Sequence, residues 1–335
     1  ALIMIYVLLV LGFIILLGGA ELLVRGAVSL AKSFNISKLV IGMTVIAFGT
    51  SSPELIVSIN ASVSGVPSLA LGNLVGSNVA NILLILGVSG LIYPIKSENK
   101  SLWLDWVVLT FASSLFIIFS LNHNIDFNDG ILLIGIFIIF MTYSYLRGSG
   151  YLSGVNLGDD KTPSSEVEEL SLIPQSKLNT VIFVFLGFAG LAVGSELLID
   201  NGVQIARSFQ ISEVAIGLTV IAIGTSLPEL AASGVAAFRK ETDLAFGNIV
   251  GSNIFNIVGI VGLMGLIDHL EIPSRVLQFD MWVMIFSVIL LLPFMFRWIR
   301  GLGRAFASMF LLLYLLYIFA IATDVKNIFD FVSNI

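Results

Sequence analysis

The chain has 335 residues, of which 57% are hydrophobic and only 11% charged, with a mean hydropathy of +1.04. Those values lie far outside the soluble globular range and place the chain in a bilayer, while the lack of cysteine excludes disulfides, thiolate metal sites and cysteine nucleophiles. Much of the acidity behind the formal net charge of −6 sits around Asp159, Asp160, Glu166, Glu168 and Glu169, a solvated connector that argues against nucleic-acid binding.

Apolar residues begin directly after Ala1, with no basic n-region or small-residue cleavage site, which predicts a retained transmembrane helix and not a signal peptide. Runs of roughly 20 apolar residues, the length that crosses a ~30 Å hydrocarbon core, then predict ten helices. They cover about 2–31, 39–63, 69–93, 102–121 and 129–147, then 177–206, 214–238, 243–267, 276–297 and 302–323. The stretch 148–176 holds Gly148, Ser149, Gly150, Pro163, Ser164 and Ser165 beside its charges, a linker composition without an apolar face. The expected class is an all-α integral membrane protein with a five-helix repeat at 1–147, an acidic linker at 148–176 and a second five-helix repeat at 177–325.

The two sets of helices align at a constant offset. Glu21 pairs with Glu196, Glu54 with Glu229, Asn73 with Asn248, Asn81 with Asn256 and Asp105 with Asp280, each pair 175 positions apart. No gap is needed from Gly19 to Leu91, and about half of those positions are identical, which marks an internal repeat. An odd number of helices per copy sends the second copy in from the opposite side and predicts an inverted repeat. The loops on the linker side hold Lys32, Lys38, Lys96, Lys100, Arg147, Lys161, Lys177, Arg239, Lys240, Arg297, Arg300 and Arg304, against Arg207, Arg275 and Lys326 opposite. A Lys/Arg excess marks the cytoplasmic face, so both termini are expected outside and the linker in the cytoplasm of a cell-membrane protein.

Each repeat carries an acid within an apolar helix: Gly49-Thr50-Ser51-Ser52-Pro53-Glu54 and Gly224-Thr225-Ser226-Leu227-Pro228-Glu229. An unpaired charge at that depth costs at least ~2.5–3.5 kcal/mol, so the doubled glutamate reads as an ion site. Pro53 removes an amide donor, crowds the Gly49 carbonyl and pushes Ser52 out of the helical region, predicting a broken helix whose irregular backbone lines a cavity. Thr50 and Glu54 share a helical face with Ala47 and Ser58, and Ala222, Thr225, Ser226, Glu229 and Ser233 repeat the set. The following helices contribute Gly72-Asn73-Leu74-Val75-Gly76-Ser77-Asn78 with Asn81, and Gly247-Asn248-Ile249-Val250-Gly251-Ser252-Asn253 with Asn256. Gly72 and Gly76 at GxxxG spacing predict a close approach to the neighbouring helix. Two carboxylates among many neutral oxygens suit a hard cation such as Ca²⁺.

These motifs closely resemble the two α-repeats of the cation/calcium exchanger superfamily, with the G-T-S-x-P-E form of its sodium/calcium branch, and the resemblance covers nearly the whole chain. It implies that the glutamates coordinate Ca²⁺ and that nearby hydroxyls, Asn side chains and broken-helix carbonyls bind Na⁺. Carried over by motif, it implicates Ala47, Thr50, Ser51, Glu54, Ser77 and Asn81, and in the second half Ala222, Thr225, Ser226, Glu229, Ser252 and Asn256. Some relatives have aspartate where this chain has Asn256; the asparagine leaves two central carboxylates and disfavours K⁺ cotransport. Neither catalytic groups nor a cofactor are expected, Ca²⁺ and Na⁺ are transported ions, the lipid bilayer is the surrounding partner, and no segment points to an obligate protein partner.

Competing readings are definite. Glu54 and Glu229 as a structural ion pair would need a basic residue, which those helices lack, whereas Ser77, Asn81, Ser252 and Asn256 could serve as interhelical glue. Glu21 and Arg25 are spaced for an i,i+4 ion pair, Asp105 and Asp280 sit near helix starts as structural acids, and His123 and His269 fall in outer loops. The linker acids match no EF-hand loop, and no phosphate-cradling G-x-x-x-x-G-K-[ST] segment supports an ATP-driven pump. The expected activity is Na⁺/Ca²⁺ antiport by alternating access, with the long glycine-bearing first and sixth helices (Gly18, Gly19, Gly26, Gly187, Gly190, Gly194) as the mobile part. The alternatives are a proton/Ca²⁺ antiporter and a cation channel using the same acids.

Overall fold

The computed structural model describes residues 2–64, 67–96, 102–149, 173–209, 222–296 and 301–322. In chain order the helices are α1 (Leu2–Phe34), α2 (Lys38–Thr50), α3 (Ser52–Val63), α4 (Ala70–Ile92), α5 (Leu102–Ser120) and α6 (Phe127–Gly148). They continue with α7 (Lys177–Ser208), α8 (Leu227–Phe238), α9 (Thr242–Ile267), α10 (Val276–Met295) and α11 (Arg304–Ala322). Among the described residues eight of these are long and apolar enough to cross a membrane alone, and α2 and α3 do so together across a 44° bend. The short α8 follows the turn Ala222–Thr225; residues 210–221 before it, like the acidic connector with Asp159 to Glu169, lie outside the described residues. Among the described residues the departures from an all-helical fold are a two-residue antiparallel pairing of Asn124–Ile125 with Leu270–Glu271 and a single antiparallel bridge between Ile95 and Leu302.

Burial sorts the helices into a centre and a shell. The most apolar window is 89% buried in α9 and 72% in α4, against 22% in α1, α6, α7 and α11. The shell leaves Ile3, Phe13, Ile139, Phe185 and Leu315 exposed, side chains that water would drive together but lipid solvates. Helices associate in lipid by close packing, since the solvent is as apolar as they are. Accordingly α1 and α7 run antiparallel in contact through glycines. A Cβ on Gly19 would stand 2.7 Å from the Leu191 amide nitrogen, and one on Gly194 would stand 2.6 Å from that of Leu16. Within the centre, a Cβ on Gly42 of α2 would come within 2.7 Å of the Leu244 carbonyl in α9. A Cβ on Gly247 of α9 would crowd the Leu39 carbonyl of α2 and stand 3.1 Å from the Met43 amide nitrogen. No described residue lies within 4 Å of such a Cβ on Gly72 or Gly76; residues 210–221, at the repeat positions of α2, are outside the description.

Two expectations are corrected. The helix breaks at Ser51 and not at Ser52: Ser51 has φ −84° and ψ 7°, and Ser52 opens α3 with Pro53 beside it. A proline in a first turn costs little because its missing amide hydrogen would have lacked a helical partner. Arg147 is not a solvated loop residue. It is buried, and its Nη1 and Nη2 donate to both carboxylate oxygens of Asp105 at 2.8 and 3.1 Å, with the guanidinium lying over the Tyr143 ring. A charge in this setting needs a paired and hydrogen-bonded partner. Asp105, in the first turn of α5, supplies it and is structural as expected.

Candidate ion-binding site

The two helix breaks build the site. Ser51 and Ser226 take nearly the same conformation, φ −84°, ψ 7° and φ −89°, ψ 6°, and each starts a helix with proline in its first turn. Glu54 and Glu229 therefore occupy the first turns of α3 and α8, where unpaired amide groups and the helix dipole favour negative charge. Both side chains are 1% exposed. Among the described residues neither pairs with a basic side chain.

The halves meet through these residues. Ser51 Oγ donates to Glu229 Oε1 at 2.8 Å, and Ser226 Oγ reaches Ser77 Oγ at 3.3 Å. Thr50 Oγ1 donates to Asn248 Oδ1 at 3.1 Å, and its repeat mate Thr225 donates to Asn73 Oδ1 at 3.3 Å. Ala47 is buried, and its carbonyl accepts from the Ser51 amide at 3.0 Å. Ala222 opens the turn ahead of α8. Ser77, Asn81, Ser252 and Asn256 are all buried, as are Thr50, Ser51, Glu54, Thr225, Ser226 and Glu229.

Several buried side-chain oxygens have no hydrogen-bond partner among the described residues. They include Glu54 Oε1 and Oε2, Glu229 Oε2, Asn81 Oδ1, Ser252 Oγ and Asn256 Oδ1, along with Ser58 Oγ. Buried oxygens left unbonded cost free energy, and a carboxylate left so costs most, unless a cation collects them. Among the described residues no cluster of three or more His, Cys, Asp or Glu exists. The candidate donor set is two carboxylates with neutral hydroxyl and amide oxygens, ligand types that suit hard cations.

The sequence reading places Asn73, Asn78 and Asn248 in the companion motifs and Ser233 on the glutamate's face without making them ion ligands, although all four recur at the 175-residue offset, Asn73 with Asn248, Asn78 with Asn253 and Ser58 with Ser233. It also missed π-helical turns at Asn81–Ile85 and Phe255–Ile260, which open the helix where Asn81 and Asn256 sit; such bulges recur at functional sites. Glu21 and Arg25 form the expected i,i+4 pair at 2.6 Å. Asp280 accepts from Tyr317 Oη at 3.0 Å, a structural bond away from the glutamates, and His123 and His269 flank the outer two-residue pairing.

A family model described as "Sodium/calcium exchanger protein" matches residues 4–146 and 179–323. The chain is 36% identical over 311 residues to a membrane protein of Methanocaldococcus jannaschii, covering 92% of this chain and 95% of that one. It is 30% identical to the sodium/calcium exchanger MaX1 of Methanosarcina acetivorans, over 86% of this chain and 90% of that protein. A solved structure of the sodium-calcium exchanger NCX_Mj superposes with a TM-score of 0.81 at 32% identity, covering 96% of this chain and 99% of that one.

Proposed function

The chain belongs to the sodium/calcium exchanger family, and from that premise we propose that it exchanges Na⁺ for Ca²⁺ across the cell membrane at one site built on Glu54 and Glu229. The observation that carries this reading is the pair of buried glutamates whose oxygens Glu54 Oε1, Glu54 Oε2 and Glu229 Oε2 have no donor among the described residues. Two carboxylates neutralise one Ca²⁺ or a set of Na⁺ ions. In this reading Thr50, Ser51, Ser77, Asn81, Thr225, Ser226, Ser252 and Asn256, with carbonyls at Ala47 and Ala222, supply the remaining oxygens.

The proposal includes ten spans as two inverted five-helix repeats at 1–147 and 177–325 joined by an acidic linker at 148–176, with both termini outside. Reciprocal contacts support the inversion. Gly19 meets Leu191 as Gly194 meets Leu16, and Thr50 meets Asn248 as Thr225 meets Asn73, each contact mapping onto its mate at the same 175-residue offset. Alternating access then follows from sliding α1 and α7, which pack on each other through glycine, past the buried centre of α4 and α9. An empty site would carry two bare carboxylates through a low-dielectric constriction, so exchange is favoured over leak.

The test is Ca²⁺ uptake into proteoliposomes driven by an outward Na⁺ gradient, with K⁺-only and proton-gradient controls, for the parent and Glu54→Gln. Uptake that needs Na⁺ and is lost in the variant is expected. Uptake driven by protons alone would replace Na⁺ in the reading, and uptake without any counter-ion would make the protein a channel.

A further inference from the structure

Asn256, which supplies one of the oxygens in the proposed ligand set, has its Oδ1 buried and without a partner among the described residues, while its Nδ2 donates to Asn78 Oδ1 at 3.1 Å. Asn78, from the other half, turns its own Nδ2 to the Met284 sulfur at 3.7 Å. All three side chains are buried, with exposures of 1%, 2% and 0%. An amide's two ends have nearly the same shape, so its orientation is set by what each end meets. A thioether has lone pairs and no hydrogen to give, so it accepts only the amino end of Asn78. That leaves the Asn78 carbonyl to face Asn256, and a carbonyl can only accept. Asn256 therefore gives its amino end to Asn78 and keeps its oxygen for the cation.

The other half lacks this relay. The repeat mate of Met284 is Leu109, which offers no acceptor. Asn253, the mate of Asn78, donates instead to the Ile249 carbonyl in its own helix at 3.1 Å, and its Oδ1 has no partner among the described residues. The ligand set is thus asymmetric despite the repeat.

We propose that Met284 and Asn78 are positioning residues that hold the Asn256 amide with its oxygen toward the transported cation, making Asn256 an obligatory oxygen ligand in the second half. This inference rests on the exchanger reading of the site above. It separates positioning from bulk packing because an aspartate at position 256 presents oxygen from either end and needs no orienting partner.

The experiment is equilibrium ⁴⁵Ca²⁺ binding to the detergent-purified full chain, for the parent, Glu54→Gln, Asn78→Leu, Met284→Leu, Asn256→Asp, and Asn78→Leu and Met284→Leu each combined with Asn256→Asp. Met284→Leu keeps the side-chain volume and imports the residue of the other half, so it stays informative should Asn78→Leu fail to fold. In the Asn256 background, Asn78→Leu is expected to weaken Ca²⁺ binding about tenfold, the size of one net hydrogen bond, and Met284→Leu by about threefold. In the Asn256→Asp background both effects should shrink to less than about twofold. Equal losses in the two backgrounds would assign Asn78 and Met284 to packing and overturn the relay. Binding that is lost in Glu54→Gln but indifferent to Asn78 and Met284 would overturn the relay and leave the exchanger reading standing. A parent that binds no Ca²⁺ would bring down both.

Discussion

Arg239 grips Glu21 with two nitrogens, Nε to Oε2 at 3.0 Å and Nη2 to Oε1 at 2.6 Å. Glu21 belongs to α1 and Arg239 caps the end of α8, so one ion pair ties the first helix to the broken helix that carries Glu229. Arg25 adds its own bond to Glu21 at 2.6 Å. The repeat has no equivalent: Ser64 stands 175 positions before Arg239 and Asp200 stands 175 after Arg25, while Glu196 is exposed with no ion-pair partner among the described residues. Among the described residues this ion pair has no counterpart at the repeat positions.

That asymmetry predicts a bias between the two access states. Arg239→Gln should favour opening on the linker side, and exchanging the two charges as Glu21→Arg with Arg239→Glu should restore most of the parent behaviour. A partly exposed pair is worth about 0.2–1 kcal/mol, so the shift is at most about fivefold. The chain has no native cysteine, so a single cysteine at buried Ala236, one turn before Arg239, reports the state through its labelling rate by a membrane-impermeant thiol reagent. An unchanged rate in Arg239→Gln would mean that the pair spans no moving boundary.

The contrast between Glu21 and its partners marks what was legible in the sequence. Local relationships were readable: apolar runs gave eight single spans and the bent α2–α3 pair to within a few residues among the described residues, Pro53 and Pro228 announced the breaks, and the four-residue spacing gave Glu21 with Arg25. Contacts between residues far apart in the chain were not. Arg239 meets Glu21, Arg147 meets Asp105 and Asn78 meets Asn256 across helix packing angles that no periodicity encodes. The π-helical turns escaped for a related reason, since an extra residue in a turn is selected by neighbouring helices and leaves no fixed residue pattern.

The antiparallel contact of α1 and α7 predicts sensitivity to single methyl groups. A side chain at Gly194 meets the Leu16 backbone, which cannot rotate away as a flexible side chain would. Gly194→Val should slow Na⁺-driven Ca²⁺ uptake at least tenfold while ⁴⁵Ca²⁺ binding in detergent stays within about twofold, because the glutamates lie on other helices. Replacement of Gly18, which has no described neighbour within 4 Å, is the control and should be tolerated. Equal losses of binding and transport in Gly194→Val would point to misfolding instead.

The buried Asp105–Arg147 pair predicts a stability effect away from ion binding. Arg147→Met leaves a buried carboxylate without its guanidinium and should cost about 3–5 kcal/mol, read as a large fall in the thermal midpoint of the detergent-purified protein. Adding Asp105→Leu should recover most of it, since an apolar pair of similar volume is often as stable as the ions it replaces. Failure of the double replacement to recover would mean that Asp105 has a role beyond the pair.

The hydroxyl–amide contacts predict that the two halves contribute unequally. Asn248 bridges both breaks, accepting from Thr50 Oγ1 at 3.1 Å and donating through Nδ2 to Ser233 Oγ of α8 at 2.9 Å. Its mate Asn73 accepts from Thr225 over a longer 3.3 Å, and its Nδ2 has no partner among the described residues. Asn248→Leu therefore removes two side-chain hydrogen bonds to buried hydroxyls and leaves Thr50 its longer 3.4 Å bond to the Ala47 carbonyl, whereas Asn73→Leu removes one bond and an amide end with no partner among the described residues. Ca²⁺ binding should weaken by about tenfold or more in Asn248→Leu and by several-fold less in Asn73→Leu, measured side by side on purified protein. The opposite order would mean that Thr225 depends on Asn73 more than Thr50 depends on Asn248, and that the second break, not the first, is the one held through its threonine.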